Sequence, residues 1–329
     1  ADANGTVAIG SSAGATLTSG QGNTAIGFEA LDAASTEDKC TAVGYQALSG
    51  VTGTDGDSNN TALGYQAGLV ISTGIKNTCL GSSSGSSLLS NNSNTFIGFE
   101  SGKLITGSTN TIIGASAAAA ATTSDSCVII GESACGATLT GNENVVIGQT
   151  AGSAMAGAAQ NTIIGASCGD ALVSGSNNII IGYNAAASST NVSNQVTLGN
   201  SSVNALRCAD TTIASLSDGR DKTNVVDSQY GLDFVNKLRP VEFTWQRRVL
   251  DPSDENHSKN GTTKVGFIAQ ELQDAMPNGE NEILDLVYES NPERLEAKYG
   301  NLIPILTKSV QELAEKSASL EEENKQLKE

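Results

Sequence analysis

The stretch NVVIGQTAGSAMAGAAQNTIIG, residues 144–165, begins and ends on the same phrase, and its two phrase-ending glycines lie 17 residues apart. Extending the alignment in both directions gives Gly10, Gly27, Gly44, Gly64, Gly81, Gly98, Gly114, Gly131, Gly148, Gly165, Gly182 and Gly199, with spacings of 17 in nine of eleven intervals, one of 20 and one of 16. A fixed period of this length is the signature of a repeat architecture. Each column of the alignment has its own chemistry. The residue before Gly is always Ile, Val or Leu, as at Ile26, Leu80 and Ile147, and the residue three before is always β-branched, as at Thr24, Val145 and Thr162. Two such positions separated by one residue share a face of a short strand. Three after Gly stands Ala, Ser or Cys, and an aliphatic tends to follow seven or eight after, as at Leu17, Ile71 and Leu172. Four before Gly, eight of twelve repeats carry Asn; stacked Asn side chains hydrogen-bond from coil to coil and tolerate turn geometry.

Seventeen residues are too few for a helical-hairpin repeat, and glycine at this density destabilises helices. The pattern therefore predicts a mainly β fold: a parallel β-solenoid, or β-roll, of about twelve coils over residues 1–200, with two short strands per coil and a length of roughly 55–60 Å at ~4.8 Å per coil. The aliphatic and Thr columns are expected to face inward, which argues against an ice-binding surface of exposed Thr rows. So thin a coil is expected to have little core of its own, with neighbouring chains meeting at the Ala/Ser column. These phrases resemble the head repeats of trimeric autotransporter adhesins, and the resemblance, covering about residues 4–200, implies a homotrimer. The sequence departs from that family in coil length and in showing no membrane-barrel pattern.

Composition narrows the function. Net charge is −17, unfavourable for duplex nucleic acid or an anionic membrane surface. No run of apolar residues is long enough to span a bilayer. No signal-peptide pattern is visible, and Ala1 stands where a Met would, so an upstream segment is expected. A single His, His257, in a polar stretch, and six cysteines, Cys40, Cys79, Cys127, Cys135, Cys168 and Cys208, without CxxC spacing predict no metal site and no cofactor, and thiols that serve as packing. The long interval contains TDGDSNN, where Asp55, Asp57 and Asn59 are spaced like the first ligands of a calcium loop. Asn60 replaces the required Gly and Gln66 the closing carboxylate, so a solvated loop is the expected reading. Aromatics following the Gly, Phe28, Tyr45, Tyr65, Phe99 and Tyr183, read as coil-edge cover, with stacking on sugars as the other option.

Residues 1–200 hold 12 acidic and 3 basic side chains and residues 201–329 hold 23 and 15, which places a boundary near 200. A connector, 201–215, leads to an α+β segment, 216–329. There LDFVNKLRPVEFTW (232–245) predicts a short helix stopped before Pro240 and then a strand, and KVGFIAQEL (264–272) a strand running into a helix. From 299 to 329 Leu306, Leu313, Leu320 and Leu327 recur at heptad spacing, with Ile303, Val310, Ser317 and Asn324 at the partner positions, predicting a parallel coiled coil, with a single amphipathic helix docked on its own domain as the alternative.

At the seam lies LSDGRDK, residues 216–222. A Ser and a Lys brought together form a minimal nucleophile and base, but Ser217 and Lys222 are five apart, so only a turn joins them; Asp218 and Asp221 beside the amine oppose the neutral form it needs. The surroundings resemble the C-terminal intramolecular chaperone of phage tail fibres and endosialidase-type tailspikes. Its Ser-Asp-x-Arg-x-Lys motif is met by Ser217, Asp218, Arg220 and Lys222, and further lines by LRPVEFTW (238–245), GFIAQE (266–271) and LIPILTKSVQEL (302–313). The resemblance implies trimerisation of a β-structured fibre followed by self-cleavage between Leu216 and Ser217, a single-turnover serine endopeptidase with Ser217 as nucleophile, Lys222 as base and Asp218 and Arg220 in support. The expectation is therefore a tail fibre, assembled in the host cytoplasm, residing in the virion, and binding a host-surface receptor such as a glycan. The alternatives are a glycan-degrading tailspike, for which residues 1–200 supply few acids, and a cellular trimeric adhesin.

Overall fold

The middle three residues of each phrase form a strand, from Val7–Ile9 and Thr24–Ile26 through to Ile179–Ile181 and Val196–Leu198. The computed structural model, which describes residues 5–53, 56–203, 205–207, 209, 216–246, 261–276 and 281–328, stacks these strands into one twelve-stranded sheet in chain order. Every pair is parallel and in register, Thr24 against Thr41 and Ile147 against Ile164, for example. Twelve strands enclose eleven coil-to-coil steps, so the first unit, Ala1–Val203, is a parallel β-solenoid.

Two details of the coil differ from the sequence reading. Each coil contributes one three-residue strand to the sheet, and among the described residues the remainder runs as turns that still hydrogen-bond to the next coil, as from Gly68 N–H to Ser84 O at 2.9 Å, with a second strand only at Glu37–Asp38 and Gly56–Asp57. Orientation is also reversed. The residue between the β-branched and aliphatic columns is the buried one, Ala25, Ala42, Phe96, Ile129 and Ile163 being fully enclosed, while the Thr and Ile columns are only partly covered on the outer face. The reason is volume. The narrow interior is already occupied by the small residue three after Gly, such as Ala30, Ala47 and Ala151, and by the later aliphatic, such as Ile71, Leu88 and Leu172, all fully buried. One further side chain per coil fits, and its size is adjusted coil by coil. The Ala/Ser column is thus interior and unavailable to a neighbouring chain, and a continuous core runs from Ala25 to Val192 within one chain. The Thr rows lie on the outer face, partly exposed, and not inward as expected.

Two columns fix the backbone. The phrase-ending glycines from Gly10 to Gly182 have φ between +129° and +142°, and a Cβ on Gly27 would meet the carbonyl oxygen of Gly44 in the next coil, so nothing larger fits. The Asn column is buried and forms a ladder: Asn161 Nδ2 donates to Asn144 Oδ1 at 3.1 Å and to Gly175 O at 2.9 Å, while Asn161 Oδ1 accepts from Asn178 N–H at 3.0 Å. The ladder satisfies backbone groups that the turn would otherwise bury unpaired.

The longer interval builds a small parallel pair, Glu37–Asp38 with Gly56–Asp57. The fully buried Glu37 carboxylate accepts from the N–H groups of Ser35 at 2.5 Å, Thr36 at 3.0 Å and Gly53. Asp55 of the calcium-loop expectation lies outside the described residues; Asp57 is paired with Lys39 at 2.6 Å, and Asn59 Nδ2 donates to Asp57 O at 3.1 Å.

The second unit, Asn204–Glu329, contains helix α1 (Leu232–Val235), an antiparallel pair of Val241–Thr244 with Thr263–Gly266, helices α2 (Ala269–Ala275) and α3 (Asn281–Leu284), a second antiparallel pair of Val287–Tyr288 with Glu296–Ala297, and the 25-residue helix α4 (Leu302–Gln326). Its core gathers Phe234, Leu272, Met276, Leu284, Leu286, Val287, Leu302 and Ile305. α4 carries two stripes. Leu302, Ile305 and Ser309 are buried on its own unit, whereas Ile303, Leu306, Val310, Leu313, Leu320 and Leu327, the heptad set, are exposed. Among the described residues no helix is long and apolar enough to cross a membrane.

Candidate active site

The chain enters the seam extended and makes one tight 3-10 turn, Gly219–Asp221, because Asp218 caps it: its carboxylate accepts from the Arg220 backbone N–H at 2.9 Å. The turn closes at Lys222, whose N–H donates to Gly219 O at 3.3 Å. The backbone is extended at Asp218 and again at Lys222, so the single turn between them folds the chain back on itself. Lys222 Nζ accordingly stands 2.5 Å from Ser217 Oγ. The five-residue gap between nucleophile and base is bridged by a capped turn.

Arg220 lies along the same carboxylate. Its Nε is 3.1 Å from both Asp218 oxygens and its Nη2 is 2.6 Å from Oδ2. The side-chain hydrogen bond from Arg220, with the backbone N–H after it, holds the Asp218 carboxyl below the usual carboxylate range, and Asp218 raises Arg220 in return. The Asp218 carboxylate is thus already matched by a guanidinium, whereas Asp221 has no such partner among the described residues. Leu216, Ser217 and Lys222 are all exposed in the single chain. No cluster of three or more His, Cys, Asp or Glu side chains placed to hold a metal ion occurs among the described residues, and His257 and Cys208 lie outside them.

Several residues that hold this unit together carry no local sequence signal. Glu312 Oε2, on α4, accepts from the Leu232 backbone N–H at 2.8 Å and so caps α1 from 80 positions away. Gly231 lies directly against that carboxylate, which a side chain there would push away from the Leu232 N–H. Arg239 pairs with Glu271, and the Phe267 N–H donates to Tyr299 Oη at 3.3 Å. The lines LRPVEFTW and GFIAQE are therefore fastened together by Arg239 and Glu271, while Tyr299 holds the start of GFIAQE and Glu312 holds α1. Only the folded chain shows these pairs.

Residues 217–279 match the family described as chaperone of endosialidase, the match beginning at the serine of the dyad. Comparison with curated proteins and with solved structures gave no match.

Proposed function

We propose, from the premise that residues 217–279 form a chaperone-of-endosialidase domain, that this chain is the distal part of a viral tail fibre. Its solenoid is the shaft or adhesive tip, and its C-terminal unit aligns three copies and then cuts itself away. The observation that carries the reading is the 2.5 Å contact of Lys222 Nζ with Ser217 Oγ on a preformed turn, at the first residue of the family match.

The chemistry follows from the placement. Ser217 Oγ is four bonds from the carbonyl carbon of Leu216 along its own backbone, so attack closes a five-membered ring. Lys222, once uncharged, takes the hydroxyl proton; the Leu216–Ser217 C–N bond breaks, the proton passes to the departing Ser217 amine, and an ester is left that water hydrolyses to the Leu216 carboxylate. The single chain leaves the pair open to solvent. Covering the turn with a neighbouring chain favours the uncharged form, which ties the cut to assembly.

Two surfaces support a homotrimer. The exposed heptad stripe of α4 needs a partner helix. The outer face of the solenoid sheet carries two uncharged columns, Val7 to Val196 and Ile9 to Leu198, partly open along all twelve strands. Virion residence and recognition of a host-surface receptor belong to the same proposal.

Wild type, Ser217→Ala and Lys222→Ala are to be compared on denaturing gels after assembly. The wild type yields two fragments and both variants stay whole. Hydroxylamine accelerates wild-type cleavage by intercepting the ester. Equal migration of all three at full length refutes self-processing.

A further inference from the structure

The residue following each phrase-ending glycine sits at a corner of the coil, where Phe28, Tyr45, Tyr65 and Phe99 are exposed and Ser82 half-buried, and this column builds a ladder of rings. Phe28 stacks on Tyr45 at 5.2 Å with the planes 14° apart, and Tyr45 on Tyr65 at 5.3 Å and 11°. The next coil breaks the ladder with Ser82, and the coil after that resumes it with Phe99. Two coil steps separate Tyr65 from Phe99, about 10 Å by the strand spacing of ~4.8 Å, so the position of Ser82 is a one-ring vacancy between two aromatic walls. Tyr45, with rings on both faces, is 43% exposed, whereas Tyr65 and Phe99, which flank the vacancy, are 51% and 54% exposed.

We infer that this vacancy is a binding slot for one neutral pyranose unit of a polysaccharide. A layer of atoms in contact with both walls at about 3.5–4.0 Å each occupies about 7–8 Å. The pucker and axial hydrogens of a chair fill the rest, as the Tyr45 ring fills the equivalent gap between Phe28 and Tyr65. The faces of Tyr and Phe are electron-rich and meet the C–H faces that a pyranose presents on both sides. Its hydroxyls lie at the ring edge, which is where the chain supplies polar groups. Ser82 forms the floor, and the neighbouring column places Gln66, Ser83 and Glu100 alongside. Among the described residues the Ser82 and Ser83 side chains make no hydrogen bond, whereas Glu100 is tied to Lys103 at 2.7 Å. With a net charge of −17 and a carboxylate at the rim, a polyanionic glycan is disfavoured. One sugar between two rings binds weakly, on the order of a millimolar Kd; three chains side by side multiply that by avidity.

The inference deepens the surface-recognition part of the fibre reading and rests on it. The test uses the full chain and saturation-transfer NMR from the aromatic protons to maltohexaose, cellohexaose and mannohexaose, with colominic acid as the anionic probe. Saturation reaches at least one neutral oligosaccharide in the wild type, falls at least tenfold in Ser82→Tyr, which fills the vacancy with a side chain the column already accepts, and falls likewise in Tyr65→Ala and Phe99→Ala. Three results overturn the slot: no transfer to any neutral probe, binding unchanged in Ser82→Tyr, or preference for colominic acid. A fourth is a change in subunit number with Ser82→Tyr at sedimentation equilibrium, which places the rings between chains instead. Self-cleavage on gels is read independently, so an empty slot in a chain that still cleaves refutes the slot alone.

Discussion

The Asn ladder gives the solenoid a built-in mutational experiment. Asn161 is 1% exposed, and its amide serves the Gly175 carbonyl at 2.9 Å and the Asn178 backbone N–H at 3.0 Å, neither of which has another hydrogen-bond partner among the described residues. Asn161→Ala strands both. At about 1–3 kcal/mol for each buried group left unpaired, the cost is about 2–6 kcal/mol per chain. Asn161→Leu restores the volume and strands the same two groups, so its cost stays in that range if polar satisfaction rather than packing dominates. Asn161→Cys differs, because the chain already places cysteine in this column. Cys127 N–H donates to Asn110 Oδ1 at 3.0 Å, and Cys127 Sγ takes the Asn144 N–H at 3.5 Å and reaches Gly141 O at 3.7 Å. A thiol thus reproduces both roles weakly, and Asn161→Cys should cost about 1–2 kcal/mol. The assay is denaturant unfolding followed by far-ultraviolet circular dichroism, in a Ser217→Ala background that keeps every chain the same length. If the Ala, Leu and Cys variants all unfold within about 1 kcal/mol of the parent, the ladder does not hold the coils together.

Two other outcomes follow from burial. Burial pushes the Cys79 thiol up to about 12 and Cys40 and Cys168 up to about 11 from 9.0. None of the five described cysteines should then react with iodoacetamide at neutral pH until the chain unfolds. Because the unfolded thiols ionise first, the unfolded state binds fewer protons above pH 9, so stability declines as pH rises from about 9 towards 12; rapid labelling of Cys79 in the folded protein contradicts this. On α4, Leu313→Asp changes an exposed heptad position and should leave the unit folded by circular dichroism while removing both the trimer and self-cleavage, whereas Ile305→Asp, in the core, should unfold the unit. A monomeric Leu313→Asp chain that still cleaves at the wild-type rate separates the cut from assembly.

The solenoid was legible because each column repeats in every coil, so even the 16- and 20-residue intervals did not obscure its period. Which face turned inward was not. The β-branched and aliphatic columns look like core, yet the interior went to the variable residue between them, Ala25 in one coil and Phe96 in another, because a shared volume tolerates exchange of size between neighbouring coils. In the second unit the strand, helix and heptad patterns were local and therefore readable. The contacts between its motifs were not: Arg239 to Glu271 spans 32 positions and Leu232 to Glu312 spans 80. The dyad stood between these cases. Its residue types were visible, but their meeting depended on the Asp218 cap that makes a 3-10 turn of the next three residues.

The same uniformity that made the repeat readable creates the problem that a terminal clamp solves in the proposed trimer. Sliding one solenoid past another by a single coil sets Thr against Thr and Ile against Ile again, as the register of the sheet shows within one chain, so the outer ladders give three chains almost no preference for the correct alignment. A heptad stripe alone shares the weakness, since a slip of seven residues again sets Leu313 against Leu320. Ser317 and Asn324 remove the degeneracy. They occupy the a-type positions where Ile303 and Val310 stand earlier in α4, and a slipped register would bury a polar side chain against an aliphatic one, whereas the aligned register pairs like with like around the axis. The polar residues that weaken the seam are therefore what makes it informative. Replacing both by Ile should raise the thermal stability of the C-terminal association while lowering the yield of full-length, in-register fibres; a gain in both would show that register is set elsewhere.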